Sequence, residues 1–291
     1  MHQSSSRYLR MTEDKRLFAR DFMHLFSTLI VSLKLNSHRV HFMRYHHTFT
    51  SEEAIEKLVS LKFSQSNWMP DPKDTSRAVT TITTTTFLMD EGMAHSVFQR
   101  FIDARLVKAV HGSGIHIFPL KGSLYQITPK GLSILQGFCQ RNGIEAHPMM
   151  LAMKSSYNIV QLMNMERSWE TDKLEHGTTA IEVIFCRFVR NNESEIRRDT
   201  LTSGEHSSNG HSDDLVGKHT AAKRGPQHGN VHSHTFNGAM VVDWLLNWST
   251  TIDLQEAYSV AELFVQYNLI MMVKGDRALH DRANVAFQPS K

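Results

Sequence analysis

The 291-residue chain carries 32 Lys and Arg against 29 Asp and Glu, a formal charge of +3 that by itself calls for neither nucleic acid nor membrane. A hydrophobic fraction of 41% excludes disorder throughout and, at this length, allows cores for about two ordinary domains. Cys139 and Cys186 are the only cysteines, which excludes a disulfide scaffold and a thiolate zinc site and points to a reducing compartment. Residues 1–16 are too polar for a secretory leader. The greasiest stretch, residues 22–33, is too short to span a bilayer. The chain therefore reads as soluble and cytoplasmic, meeting a membrane only at its surface.

In chain order, Phe18, Phe22, Leu25, Phe26, Leu29 and Leu33 recur at helical spacing, with Thr12 as a cap and Glu13 and Asp14 in the first turn. Residues 34–47 follow as a basic extended arm or hairpin. Thr50 and Glu53 form a capping box for a second helix, whose apolar face is Ala54, Ile55, Leu58 and Val59. Residues 62–86 read as a surface insertion. Pro70 and Pro72 argue for a loop there, while the threonines of 80–86 form either a strand or a polar excursion. A third helix covers 93–104, with Val97, Phe101 and Ile102 facing in. Residues 106–110 and 115–120 then flank His111-Gly112-Ser113-Gly114 as a hairpin, and Leu124-Tyr125-Gln126-Ile127 adds a short strand ended by Pro129 and Gly131. Three helices followed by a β-hairpin is a winged-helix arrangement.

Pro148 opens a further helix to about Trp169, rich in Met149, Met150, Met153, Met163 and Met165. That methionine face either adapts to a partner or packs between domains. Residues 181–188 read as a strand. From about 190 to 233 the composition turns to Ser, Gly, Asn and His, which predicts a disordered insertion. His228, His232 and His234 have ligand-like spacing, but no carboxylate or cysteine completes a set, so no metal site is expected.

The chain then repeats itself. The segment from His47 to Val59 returns 187 positions on, from His234 to Leu246, and the segment from Ala94 to Val110 returns 163 positions on, from Ala257 to Val273. In the second copy Asn237 caps a helix, Asp253 and Glu256 form a capping box for the next, and Asn268 suits a left-handed terminus. Nothing answers Tyr125-Gln126-Ile127-Thr128, so the second wing is expected to be truncated, with an open strand edge. The predicted organisation is a tail (1–14), a first domain (15–145), a helical linker (146–176) and a second domain (177–291). The class is α+β, with two winged-helix-like units.

Phe236-Asn237-Gly238, Val241-Val242-Asp243-Trp244-Leu245 and the helix from Ala257 to Ile270 resemble the DEP domain, the winged module of Dishevelled, Epac-type exchange factors and RGS proteins. The first copy is a divergent version: Phe49-Thr50-Ser51 keeps the cap, Lys57 replaces the tryptophan, and Arg105 stands where Asn268 does. With residues 61–67 and Pro70-Asp71-Pro72-Lys73-Asp74, the pattern resembles the tandem DEP region of fungal developmental regulators of the FlbA type, over residues 15–291. The resemblance implies an RGS domain further on that accelerates GTP hydrolysis on Gα; none of these residues matches it.

Three function classes follow. The resemblance implies a non-enzymatic targeting module, recruiting a G-protein signalling regulator to a receptor's cytoplasmic tail or to anionic lipid at the plasma membrane. Its candidate surface is Lys34, Arg39 and Arg44, free of acidic residues and interleaved with His38, His41, His46 and His47. The alternative is a solvated arm with no partner. Nucleic-acid binding through a winged helix is disfavoured, because residues 225–273 contain no Lys or Arg. Nothing forms a nucleophile elbow or phosphate loop, so no catalytic residue and no cofactor is expected.

Overall fold

The computed structural model describes residues 9–40, 42–71, 74–110, 122–144, 160–202, 236–272 and 286–289. Its contacts divide the chain into two compact units, Met1–Glu175 with Leu246–Leu254, and His176–Leu245 with Gln255–Lys291.

The first unit begins with α1 (Ala19–Ser32), whose buried stripe is Phe22, Leu25, Phe26, Leu29 and Ile30. Its expected cap fails: Thr12 instead closes a turn on Arg16, and the helix starts after Phe18, which has no capping side chain. Asp172, 153 residues on, takes that role by accepting the Ala19 N–H at 2.9 Å. Arg16 and Arg167 lie 3.6 and 3.7 Å from the same carboxylate, which compensates its burial. The linker carrying Asp172 also departs from expectation. Among its described residues, 160–176, there is no helix, and a bridge between Arg167 and Leu174 folds it back on itself; the start of the expected helix, up to 159, lies outside the described residues.

The hairpin β1 (Asn36–Val40) and β2 (Met43–Thr50) leads into α2 (Ser51–Val59), and Thr50 and Glu53 form the capping box the sequence predicts. The insertion is a two-stranded ribbon, β3 (Ser60–Asp71) against β4 (Asp74–Leu88), so the threonine run is strand. Then come α3 (Glu91–Asp103), β5 (Val107–Ala109) and β6 (Leu124–Ile127), giving a sheet ordered β1-β2-β6-β5. The predicted turn at 111–114 and strand at 115–120 lie outside the described residues. Pro129, expected to end the strand, also opens α4 (Pro129–Arg141), a helix the sequence reading missed, with Thr128 accepting the Gly131 N–H at 3.0 Å. A Cβ at position 131 would collide with the Leu106 carbonyl, so the approach of α4 to the sheet requires glycine. The core is aromatic: Phe22 and Phe26 meet Phe101 at 5.1 and 5.4 Å, and Phe98 meets Tyr125 at 5.0 Å.

Lys130 is only 1% exposed, and its Nζ donates to the Leu246 carbonyl at 2.7 Å and the Thr251 carbonyl at 2.6 Å. These acceptors belong to the segment Leu246–Leu254 of the same unit, which also places Ile252 in the core. An ammonium ion so buried needs its donors satisfied, and the Leu246 carbonyl in the last turn of the helix ending at Trp248, with the Thr251 carbonyl just beyond it, supplies acceptors.

The second unit opens with α5 (Thr178–Thr202), where the sequence reading expected a strand over 181–188 and disorder from about 190. Ile181, Ile184, Phe185 and Phe188 are buried while Val183 is exposed, a period of 3.6 rather than 2. Next come β7 (Phe236–Asn237), α6 (Gly238–Trp248), α7 (Leu254–Gln266), β8 (Ile270–Met272) and β9 (Ala286–Pro289). Asn237 caps α6 by accepting the Met240 N–H at 2.8 Å. Phe185 packs on Phe264, and Phe188 on Phe236 and Trp244.

The expectation of an unanswered wing strand is overturned by β9. It lies between β7 and β8, with Phe287 opposite both Phe236 and Met272. In the first unit β6 lies between β2 and β5, with Tyr125 opposite both Phe49 and Ala109. The register is the same, and Phe287 stands for Tyr125. The sequence reading missed it because Ala286-Phe287-Gln288-Pro289 shares only a glutamine with Leu124-Tyr125-Gln126-Ile127.

Lys130→Met keeps the aliphatic stem and removes the donor, leaving two buried carbonyls without it. The expected cost is about 2–4 kcal/mol, read as a fall in the urea midpoint. An unchanged midpoint would mean those carbonyls find other partners.

Candidate functional site

The site is built on β2, whose two ends live in different environments. Thr48 and Phe49 are buried, and Phe49 stacks on Tyr125 at 6.2 Å while meeting Phe98 edge-on at 6.1 Å. At the other end Met43 and Arg44 are exposed. The strand passes between these regimes at His47, which takes a left-handed φ of 57°. Burial pushes the His47 imidazole below its ordinary value, and neighbouring His46, 6.4 Å away ring to ring, adds to the shift.

Polar contacts fix the root of the hairpin. His38 Nδ1 lies 2.7 Å from the Thr48 hydroxyl, which donates to the Asn36 carbonyl at 3.2 Å. Ser37 Oγ lies 2.8 Å from His46 Nδ1, and the Gln126 amide donates to the His46 carbonyl at 3.0 Å. Three of the arm's histidines, His38, His46 and His47, thus have structural surroundings; His41 lies outside the described residues.

The predicted site residues are distributed as follows. Lys34 is exposed in the connection between α1 and β1. Arg39 and Arg44 are exposed and sit directly opposite one another, so both guanidinium groups leave the same face. Neither has a carboxylate partner among the described residues, and residues 34–51 supply no acid. Like charges directly opposite each other destabilise a strand pair, so the fold gains nothing from this one. The sequence reading missed Phe42 and Met43, consecutive apolar residues at the hairpin end, which are 93% and 65% exposed. Their signal was available: a two-residue hairpin connection usually draws on Gly, Asn and Asp, and here it is His41-Phe42.

Among the described residues no group of His, Cys, Asp or Glu could hold a metal ion, and His228, His232 and His234 all fall outside them. No described helix is long and apolar enough to cross a membrane.

Residues 21–155 match the fungal-differentiation regulator winged helix domain, and residues 223–290 match the domain found in Dishevelled, Egl-10 and Pleckstrin. The chain pairs a fungal winged helix domain with a DEP domain. It is similar to the developmental regulator flbA of Emericella nidulans, with 55% identity over all of this chain and 41% of that protein. It is also similar to the regulator of G-protein signaling 1 of Schizosaccharomyces pombe, with 26% identity over 64% of this chain and 38% of that protein. The chain thus spans about two-fifths of the length of the flbA relative. No solved structure matches significantly. These likenesses show the domain families: the chain carries the winged helix domain of fungal-differentiation regulators followed by a DEP domain.

His47 sets a pH dependence. Its pKa in the folded chain lies below the ordinary 6.5, so the neutral ring stabilises the fold fully above that value. Below it the unfolded chain binds the proton first and stability falls. His47→Asn, which tolerates the left-handed conformation and does not titrate, is expected to flatten the melting-temperature profile between pH 7.5 and pH 5.5, roughly the range in which histidine titrates. An unaltered profile would assign the dependence to other groups, of which His24, also lowered by burial, is the first to test.

Proposed function

We propose that this chain is a non-enzymatic targeting module, which brings a regulator of G-protein signalling to a receptor's cytoplasmic tail or to anionic lipid at the plasma membrane. The observation that carries this reading is the Arg39–Arg44 pair, two cations without a carboxylate partner among the described residues, opposed on a hairpin whose root is fixed in the core. An acidic or phosphorylated partner would remove the repulsion between them. The names of the relatives, a developmental regulator and a regulator of G-protein signaling, agree with that role. Action on Gα belongs to an RGS domain rather than to any residue here.

The same proposal takes the first unit as a divergent DEP domain. Both units share the strand register about Tyr125 and Phe287, and both end their third helix alike. In each, a left-handed residue (Arg105 at φ 59°, Asn268 at φ 55°) is followed by a leucine whose N–H returns to a phenylalanine carbonyl: Leu106 to Phe101 at 2.9 Å, Leu269 to Phe264 at 2.8 Å. A shared origin accounts for both features. The domain limits then follow the repeat, 15–145 and 177–291.

Arg39→Glu with Arg44→Glu tests the recruitment. Each basic residue near an anionic surface contributes about 1 kcal/mol, so reversing both is expected to move a fluorescently tagged chain from the cell periphery into the cytosol. Unchanged localisation of the double variant would contradict this use of the hairpin.

A further inference from the structure

We infer that the open edge of β1 takes up an extended peptide as an added antiparallel strand, with an anionic side chain, phosphoryl or carboxylate, in the row formed by Arg44 and Arg39. This rests on the recruitment reading above and commits it to one partner and one mode of binding.

The sheet runs β1-β2-β6-β5, so among the described residues β1 has a neighbour on one side alone. Asn36, Ser37 and Arg39 are exposed along it, and His38 and Val40 are half-buried. The register shows which backbone groups face outward. His41 and Phe42 connect Val40 to Met43, and a two-residue connection requires that closing pair to exchange both backbone bonds. Such bonds alternate along an antiparallel pair. Arg39 and Arg44 therefore form a non-hydrogen-bonded pair, and the N–H and C=O of Arg39 face away from β2. They offer a donor and an acceptor to one residue of a further strand, in a sheet that is antiparallel throughout.

Charge identifies that strand. An exposed edge is ordinarily guarded by a charge, and Arg39 alone would serve as the guard. Arg44 would not, because it lies on β2, one strand in from the edge. In a non-hydrogen-bonded pair the two Cα atoms stand only about 4.5 Å apart, the closest approach two strands offer and the least favourable for like charges. No acid lies between 34 and 51, and neither arginine has a carboxylate partner among the described residues. A strand added to β1 sets one residue directly beside Arg39, on the face that Arg44 shares. An anionic side chain there completes the row, and a phosphoryl dianion matches both cations.

The opposite face adds a second requirement. Val40 is paired with Met43, which is 65% exposed, so the row next to the arginines is apolar. In an antiparallel strand the residue immediately before the anionic one lies opposite Val40 and is expected to be apolar. A second copy of this chain suits the edge poorly, because pairing β1 with itself brings two arginine pairs together. A bilayer supplies phosphate but no backbone to pair with the edge.

The test is binding of this chain to immobilised pools of short peptides, randomised on both sides of a central phosphoserine, glutamate or serine. Retention is expected to fall in that order and to weaken with salt, and the retained sequences to carry an apolar residue just before the central one. In a retained phosphoserine peptide, methylating the backbone nitrogen of the central residue is expected to lower affinity about tenfold. Methylating the next nitrogen, whose N–H faces away from β1, is expected to leave it unchanged. Both changes lie in the peptide, so no folding defect of the chain imitates them. Arg44→Gln, which leaves the edge of β1 intact, is expected to cost about tenfold against the phosphoserine pool and little against the serine pool.

Equal losses from the two methylations, or none from either, would overturn strand addition and leave recruitment by charge standing. Retention by no pool, with binding to vesicles of phosphatidylcholine and phosphatidylserine, would overturn the inference in favour of a lipid surface. A dimer in the ultracentrifuge that excludes the peptides would overturn it in favour of a second copy. Binding to neither peptides nor vesicles would overturn the recruitment reading along with it.

Discussion

Phe49 faces Tyr125 across β2 and β6, and the two rings stack over the helix that carries Phe98. This contact fixes one end of a strand whose other end is surface. Because Thr50, the next residue, is also the cap of α2, the sheet and the helix layer are joined by a single peptide. The hairpin therefore inherits its direction from the core. Its tip can carry residues that contribute nothing to stability, opposed arginines and an exposed phenylalanine among them, because the strand is held at Thr48 and Phe49 rather than at the tip.

In the second unit Phe236 pairs with Phe287 in the strand register and Asn237 caps α6. What differs is what lies ahead of the phenylalanine. In the first unit the strand runs back into the hairpin; in the second, β7 is two residues long among those described. The two units share the register of their three central strands and the termination of their third helix, yet among the described residues only the first shows a charged arm.

The sequence was most legible where one local interaction decides the structure. Thr50 with Glu53, Asn237 and Asn268 behave as their chemistry requires, since a cap or a left-handed terminus is settled within a few residues. Legibility failed where the deciding partner is remote. Nothing near Ala19 announces that Asp172 will cap α1, and nothing near Lys130 announces acceptors at Leu246 and Thr251. The β-branched residues Ile181, Val183 and Ile184 suggested a strand, yet their burial follows the helical period set by Phe185 and Phe188. At the site, Lys34, Arg39 and Arg44 were visible as charge, but the opposition of the two arginines needed the register. Phe42 is not legible in the same way, because a single exposed aromatic residue belongs to no amphipathic period.

Hydrogen–deuterium exchange on this chain, with and without a retained phosphoserine peptide, tests most directly whether the hairpin is a preformed contact surface. The account predicts slow exchange at Thr48–Thr50 in either condition, and added protection over residues 36–40 only with the peptide. Rapid exchange at the strand root, or protection that appears in the second unit alone, would contradict it.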